Sequence, residues 1–335
     1  MFNLIRYFLY IFIPLVVGLA SYFYLHQIFF VPLSPGDTKT SLVEIPANME
    51  LSDICTLLAQ KRVIRQKQSL CLFKKLRGDT KRIIPGEYKL SASYTPGELL
   101  KKLEGGEVYL RPFDVPVGAT LWDIDEVLAN VGLFDRHEFE AAATNADLLA
   151  RAGVAASSFE GYLAPGSYSY TKGTKPESIL WDMMEKGEKE YWSAEYTKAL
   201  EELRMSRHEI LTLASIIQKA SGDAEERRLV SSVLHNRLKN GMKLRSEEAL
   251  IYAIRDFEGT LKKSDLALPS PYNTFLNYGL PPGPILNPGR DAIEVALNPP
   301  ETTYLFYGKA KAGQLVFATT LKEFKELTGE EDEES

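Results

Sequence analysis

The chain has 335 residues, with 39 Lys+Arg against 45 Asp+Glu and a formal net charge of −6, which excludes a generally basic nucleic-acid binder. At 45% hydrophobic and 25% charged it has the composition of a folded protein, long enough for roughly two or three domains. Its two cysteines exclude a disulfide scaffold, and the absence of Cys/His clusters speaks against a structural zinc site, so no metal or cofactor is expected.

From Tyr7 through Gly36 no Lys, Arg, Asp or Glu occurs. The run Tyr7 to Phe30, at about 1.5 Å per residue, is on the order of 36 Å long and spans a hydrocarbon core of roughly 30 Å with some tilt. Tyr7, Tyr10, Tyr22 and Tyr24 lie near its ends, and Arg6 on the short side predicts a cytoplasmic N-terminus. A cleaved signal peptide is the alternative, but the run is longer than usual for one and no clear A-x-A site follows. Everything after a Pro/Gly linker (Leu33 to Asp37) is then expected on the far side, periplasmic or extracellular. Cys55 and Cys71 could pair there. Their apolar neighbours (Ile54, Leu57, Leu70, Leu72) favour the simpler reading of two buried thiols.

Beyond the linker, Val43 to Pro46 reads as a strand, followed by a helix capped near Ser52 and an amphipathic stretch from about Gln66 to Leu76. Pro85 to Leu90 turns into a strand, and Thr95 and Glu98 have the spacing of a capping box. The pattern then repeats weakly: Tyr109 to Val115 is strand-like and Thr120 caps a helix bearing Leu121, Ile124, Val127 and Leu128. The turn-rich aromatic segment Glu160 to Tyr170 precedes a helix from roughly Pro176 to Tyr191.

In the last third, Ser206 and Glu209 open a helix with the apolar stripe Ile210, Leu213, Ala214, Ile217. Gln218 lies on the edge of that stripe, facing core or cleft. Asp223 caps the next helix, which Asn240-Gly241 stops, and Ser246 starts another. Ser270 to Gly289 is a long loop dense in Pro, Gly and Asn, and loops of that length are more often functional than connective. Tyr304 to Tyr307 and Gln314 to Thr319 read as a hairpin. A short helix and an acidic tail, 329–335, are expected to finish the chain, the tail disordered.

The strings LASIIQKAS, VLHNRLKNGMKLRS, SPYNTFLNYGLPPGPILNPG and YLFYGKAKAGQLVFATT, with VEIPANMELSDICTLLAQKRVI, PGEYKL and FEGYLAPGSY upstream, resemble the MltG/YceG-like family of membrane-anchored endolytic murein transglycosylases. The resemblance covers almost the whole chain, with Tyr272-Asn273-Thr274 and Gly279 to Gly283 its most specific pieces. It implies an α+β protein: a cytoplasmic N-terminus (1–6), a single transmembrane helix (7–30), a linker (31–42), a LysM-like peptidoglycan-binding module (43–108), a middle α+β region (109–195), a mixed α+β YceG-like catalytic-type domain (196–328) and the tail. It also implies cleavage of nascent glycan strands between MurNAc and GlcNAc, leaving a 1,6-anhydro end. The implied partners are peptidoglycan glycan strands, the inner membrane through the N-terminal helix, and cell wall synthesis proteins.

Such a reaction asks one carboxyl group to protonate the leaving glycosidic oxygen and then to deprotonate the sugar's own 6-hydroxyl. Its pKa must be raised, as partial burial against an apolar helix face would do. The family's E-K-E-T string, whose first Glu is catalytic, appears here as Gln218-Lys219-Ala220-Ser221. A neutral amide has no proton to give. The family's Q-S-D-P-like string appears as Arg245-Ser246-Glu247-Glu248, and positions expected to carry His and His-Asn hold Leu315 and Phe324-Lys325. Glu225 and Glu226 start a helix, where the dipole favours the charged form. Glu247 or Glu248, on the helix after Ser246, could face the same cleft; Glu247 is the candidate replacement acid, against a solvated charge at a helix start. By the resemblance, Ser215, Asn236, Arg237, Ser246, Tyr272, Asn273 and Thr274 are candidate glycan contacts. Two functions stay open: an active lytic transglycosylase with a displaced acid, and a catalytically silent peptidoglycan-binding scaffold.

Overall fold

The computed structural model describes residues 2–78, 81–255 and 257–329. The chain divides into two compact units, 1–111 with 169–173, and 112–168 with 174–335.

The first unit opens with α1 (Phe2–Phe29), which contains Pro14. Its segment Tyr10–Gln27 is long and apolar enough to cross a membrane, and none of that segment is buried in the protein. Beyond it, β1 (Thr40–Ile45) leads into α2 (Leu51–Gln60) and α3 (Lys67–Arg77), and β2 (Gly86–Ser91) returns to pair antiparallel with β1, Val43 opposite Tyr88. The unit's next helix is α4 (Pro96–Gly105). Alternation places Val43 and Ile45 of β1 on one face, where they bury against Ile54 and Leu58 of α2, Leu70 of α3 and Leu99, Leu100 and Leu103 of α4. The capping box of α4 is formed as the spacing predicts: Glu98 N–H donates to Thr95 Oγ1, and Thr95 N–H to Glu98 Oε2.

Two expectations are corrected in this unit. The helix expected to be capped near Ser52 starts at Leu51 and takes Glu50 as its N-cap, without a side-chain cap bond. Cys55 and Cys71 are joined in a disulfide between α2 and α3, with Cα atoms 6.1 Å apart. Of the apolar neighbours that suggested inert thiols, Ile54, Leu57 and Leu70 belong to the core where the two helices pack, and that packing brings the sulfurs together, while Leu72 points out to the surface.

The second unit begins with β3 (Arg111–Val115), shorter at its start than the expected strand, and α5 (Leu121–Asn130). Thr120 and Asp123 close the capping box of α5. Two short helices follow, α6 (Glu138–Ala143) and α7 (Ala146–Ala152). β4 (Gly166–Tyr170) forms a ribbon with β3, in which Tyr168 stacks on Phe113. The helical body consists of α8 (Pro176–Tyr191), α9 (Ala194–Leu203), α10 (Arg207–Ala220), α11 (Ala224–Lys239), α12 (Glu247–Ala253) and α13 (Arg290–Leu297). The hairpin of β5 (Phe306–Lys309) and β6 (Leu315–Ala318) pairs Phe306 with Ala318, and α14 (Leu321–Thr328) ends the unit. The acidic tail lies outside the described residues except for Gly329, which caps α14 in the left-handed conformation.

The helix α10 holds this unit together. Every residue from Ile210 to Ile217 is buried, because α11, α12 and α13 all pack against it. The sequence pattern predicts only a stripe. The two hydroxyls buried within the helix are satisfied locally, Thr212 Oγ1 donating to the His208 carbonyl and Ser215 Oγ to that of Thr212.

Candidate active site

Gln218 sits in the last turn of α10 and is half-buried. Its Oε1 accepts from Gly289 N–H at 3.3 Å. Gly289 is the N-cap of α13, and a Cβ there would lie 2.8 Å from Val117 Cγ1 and 3.4 Å from Gln218 Oε1, so glycine lets the two loops close around the amide without displacing Val117. The loops are laced together: Gly118 N–H donates to the Asn287 carbonyl and Asn287 N–H to the Ala119 carbonyl, both at 2.9 Å. Position 218 therefore faces a wall built from residues 117–119 and 287–289.

Glu160 lies behind that wall. It is 2% exposed. Its carboxyl receives Leu121 N–H and the Tyr252 hydroxyl on Oε2 and the Asn287 amide on Oε1. Asn287 also takes Leu163 N–H on its Oδ1, so one buried side chain fastens the Glu160 turn to the wall. Burial pushes the Glu160 carboxyl up to about 8, against the pull of those donors. This residue was not singled out from the sequence. The signal available was a carboxylate inside an otherwise apolar, aromatic turn, Phe159 to Tyr162. Tyr252 stacks between Trp122, 5.2 Å between ring centroids, and Tyr272, 5.0 Å.

A second cluster forms at the start of α12. Ser246, the N-cap, accepts from Ala249 N–H, and its hydroxyl donates to Glu248 Oε2 at 2.7 Å. The Tyr307 hydroxyl, from β5, donates to the same oxygen at 3.2 Å. Burial raises the Glu248 carboxyl above the usual carboxylate range, with the charge of Glu247 adding to the effect, while the Ser246 and Tyr307 hydroxyls act against it. Glu247 itself is exposed on the first turn. Thr274 ties the cluster to the long loop, its Oγ1 accepting from Ser246 N–H and its carbonyl from Arg245 N–H.

The remaining expected contacts are turned inward. Ser215 Oγ accepts from Ile285 N–H, binding the loop to α10. Asn273 is fully buried, its amide donating to the carbonyls of Leu266 and Leu268 and its oxygen receiving Phe275 N–H. Asn236 donates to the carbonyls of Thr302 and Tyr304. Arg237, 6% exposed, gives its guanidinium to the carbonyls of Leu305, Lys243 and Leu244 and lies over the Phe306 ring. These side chains satisfy carbonyls that a loop and hairpin poor in regular pairing leave open. Of the expected set, Gln218, Asn236, Glu247 and Tyr272 keep exposed surface. At the next helix start, Glu226 accepts from Ser221 Oγ and its N–H donates to the Asp223 cap, and Glu225 pairs with Arg228.

The second unit is thus a mixed α+β body built around a buried helix, with a polar side chain in that helix's last turn and a Pro/Gly-rich loop folded over it. The profile of the YceG-like family matches residues 43–330, and the chain belongs to that family. It is similar to an endolytic murein transglycosylase of Bacillus subtilis, 29% identical over 308 residues that cover 86% of this chain and 84% of the relative. An endolytic murein transglycosylase of Streptococcus pneumoniae is 27% identical over 316 residues, and the chain spans 55% of that longer protein. The crystal structure of a yceG-like protein from Listeria monocytogenes superposes with a TM-score of 0.59 at 31% identity, covering 87% of this chain and all of that one.

Proposed function

We propose that the chain is a membrane-anchored lytic transglycosylase that cuts nascent murein glycan strands between MurNAc and GlcNAc and leaves a 1,6-anhydro end. The observation that carries this reading is the family match over residues 43–330, which contains both carboxyl clusters and the loop folded over α10. The attacking group is the sugar's own 6-hydroxyl, so a single carboxyl group suffices for both proton transfers. Tyr272, with part of its ring exposed in the loop, is the glycan contact with the most support, through stacking on a sugar face.

The apolar helix α1 anchors the protein, with its short N-terminal side in the cytoplasm. The Cys55–Cys71 disulfide supports placing the rest of the chain outside the cytoplasm, since such bonds persist in oxidising compartments. The order β1-α2-α3-β2 with antiparallel strands supports a LysM-like module over residues 43–108 that holds peptidoglycan near the catalytic unit. Contact with cell wall synthesis proteins follows from action on nascent strands.

One observation favours a second reading, a silent scaffold that binds glycan without cutting it: the amide of Gln218 at the family's acid position. Incubation of purified sacculi with the full-length protein in detergent separates the two. Release of muropeptides with anhydro ends supports the enzyme. Binding to sacculi with no anhydro product at high protein concentration supports the scaffold, and neither binding nor product rejects both.

A further inference from the structure

We propose that Glu248, held by Ser246 and Tyr307 at the start of α12, is the carboxyl group that performs the proton transfers Gln218 cannot perform; this rests on the lytic transglycosylase reading above. Three observations converge on it. The first is the placement of ionisable groups within one unit: the end of α10 carries Gln218 and Ala220, neither of which can transfer a proton, while the start of α12 carries Glu248.

The second is geometry. Both hydroxyls bond the same oxygen, Oε2, and the residue's own backbone N–H also bears on the carboxyl, so no side-chain hydroxyl occupies Oε1 among the described residues. Its bonding partners are neutral, and no cation pairs with Glu248 among the described residues. A lysine or arginine in contact would hold the group charged and spoil it as an acid. Glu160, the other carboxyl that burial raises, has its two oxygens taken by three donors and is sealed behind Tyr252, whereas Glu248 is half-buried.

The third is location. Thr274 bonds both Arg245 and Ser246, so the Tyr272-Asn273-Thr274 segment is fastened directly to the turn that presents Glu248. A glycan stacked on Tyr272 is thereby brought next to the start of α12. In the reaction, Glu248 passes the Oε1 proton to the glycosidic oxygen as its bond to the MurNAc C1 breaks. The carboxylate then takes the proton of the MurNAc 6-hydroxyl as O6 bonds to C1. The acid is regenerated, no water is consumed, and the product is the 1,6-anhydro sugar.

The groups that face Glu248 are Glu247 on its own helix and Tyr307 on β5, with Arg237 of α11 beyond Tyr307. The test uses full-length protein in detergent with purified sacculi, counting anhydro-ended muropeptides by mass spectrometry across pH. Glu248→Gln is expected to lower the rate by about 10²–10⁴-fold, with sacculus binding and melting temperature retained. Glu248→Asp should recover part of the loss. Tyr307→Phe removes a donor that favours the carboxylate, so the alkaline limb of kcat/KM should move to higher pH.

A folded Glu248→Gln protein that cuts as fast as wild type overturns this proposal alone, as does equal loss on Glu247→Gln in place of Glu248→Gln. If Glu248→Gln fails to fold, the Tyr307→Phe profile decides, and an unmoved alkaline limb overturns the assignment. Wild-type protein that yields no anhydro product overturns both the assignment and the active reading beneath it.

Discussion

The end of α10 and the start of α12 belong to the same unit and treat carboxyl chemistry in opposite ways. At position 218 the residue is half-buried, a backbone N–H is aimed at it, and a glycine leaves room opposite it. The side chain there is an amide and has no proton to transfer. At position 248 a carboxyl is present and raised, bonded by two hydroxyls, yet its helix start is a place where the dipole ordinarily favours a charged Glu. Burial against Tyr307 outweighs the dipole at the second residue of the helix, while Glu247, one residue earlier and exposed, keeps the ordinary role of a charge at a helix start. On the proposed assignment, a shape suited to a reaction and a group able to perform it separate along a chain while one unit holds both.

The largest expected effect comes from reversing that separation. In the Glu248→Gln background, Gln218→Glu with Ala220→Glu should restore cleavage of sacculi by on the order of 10²-fold or more, because Gly289 N–H already points at position 218. Failure to restore, in a protein that still binds sacculi, would mean that the wall of residues 117–119 and 287–289 shields position 218 from glycan.

The next effect tests what stands behind the wall. Because Glu160 titrates near 8 in the folded protein and near its ordinary 4.5 when unfolded, the folded state holds a proton that the unfolded chain has lost between those values. Stability from this group is fully present below about pH 4.5 and declines as pH rises through 8. Glu160→Gln should flatten that decline by up to a few kcal/mol, read from urea midpoints between pH 5 and 9. An identical slope in both proteins would show that Glu160 is ionised throughout. Reduction of Cys55–Cys71, in the other unit, should lower the stability of residues 1–111 by about 3 kcal/mol for a 16-residue separation. The contrast between positions 218 and 248 should be unaffected, measured as the activity ratio of the two variants with and without reductant.

What could be read from the sequence was local. The capping boxes at Thr95 and Ser206 and the cap at Thr120 formed because each needs only residues within one turn. The helix boundaries at Pro176, Asp223 and Asn240-Gly241 and the hairpin positions were legible for the same reason. Position 218 was legible too, since the apolar stripe from Ile210 to Ile217 puts it on the edge of the helix face. What failed to show depends on partners distant in sequence. The pairing of Cys55 with Cys71 follows from how α2 meets α3. Complete burial of α10 follows from three helices packing on it. Ser215, Asn273 and Arg237 looked like sugar-binding polar groups, but the Pro-rich loop and the short hairpin leave backbone groups unpaired, and these side chains are the nearest partners. The sequence offers Glu247 and Glu248 together, and a one-residue step at a helix start decides which carboxyl turns toward Tyr307.

The smallest effect isolates the packing that keeps position 218 in shape. Gly289 has φ −78°, an ordinary backbone conformation, so replacing it with alanine adds no torsional strain. What it adds is a methyl group 2.8 Å from Val117 Cγ1, which the loop must move to admit. Overpacking of this kind costs typically about 1–3 kcal/mol, and the loss should lie toward the lower end because Val117 is exposed and free to yield. The comparison is Gly153→Ala, where φ is +68° and nothing lies within 4 Å of the new Cβ, so any cost there is torsional, about 1 kcal/mol. The two variants should therefore destabilise by similar amounts for different reasons. Only Gly289→Ala should disturb the wall opposite Gln218, and it should weaken cleavage in the Gln218→Glu, Ala220→Glu protein while leaving Glu248-dependent cleavage less affected. Equal loss through both carboxyls would mean that positions 218 and 248 serve one undivided groove.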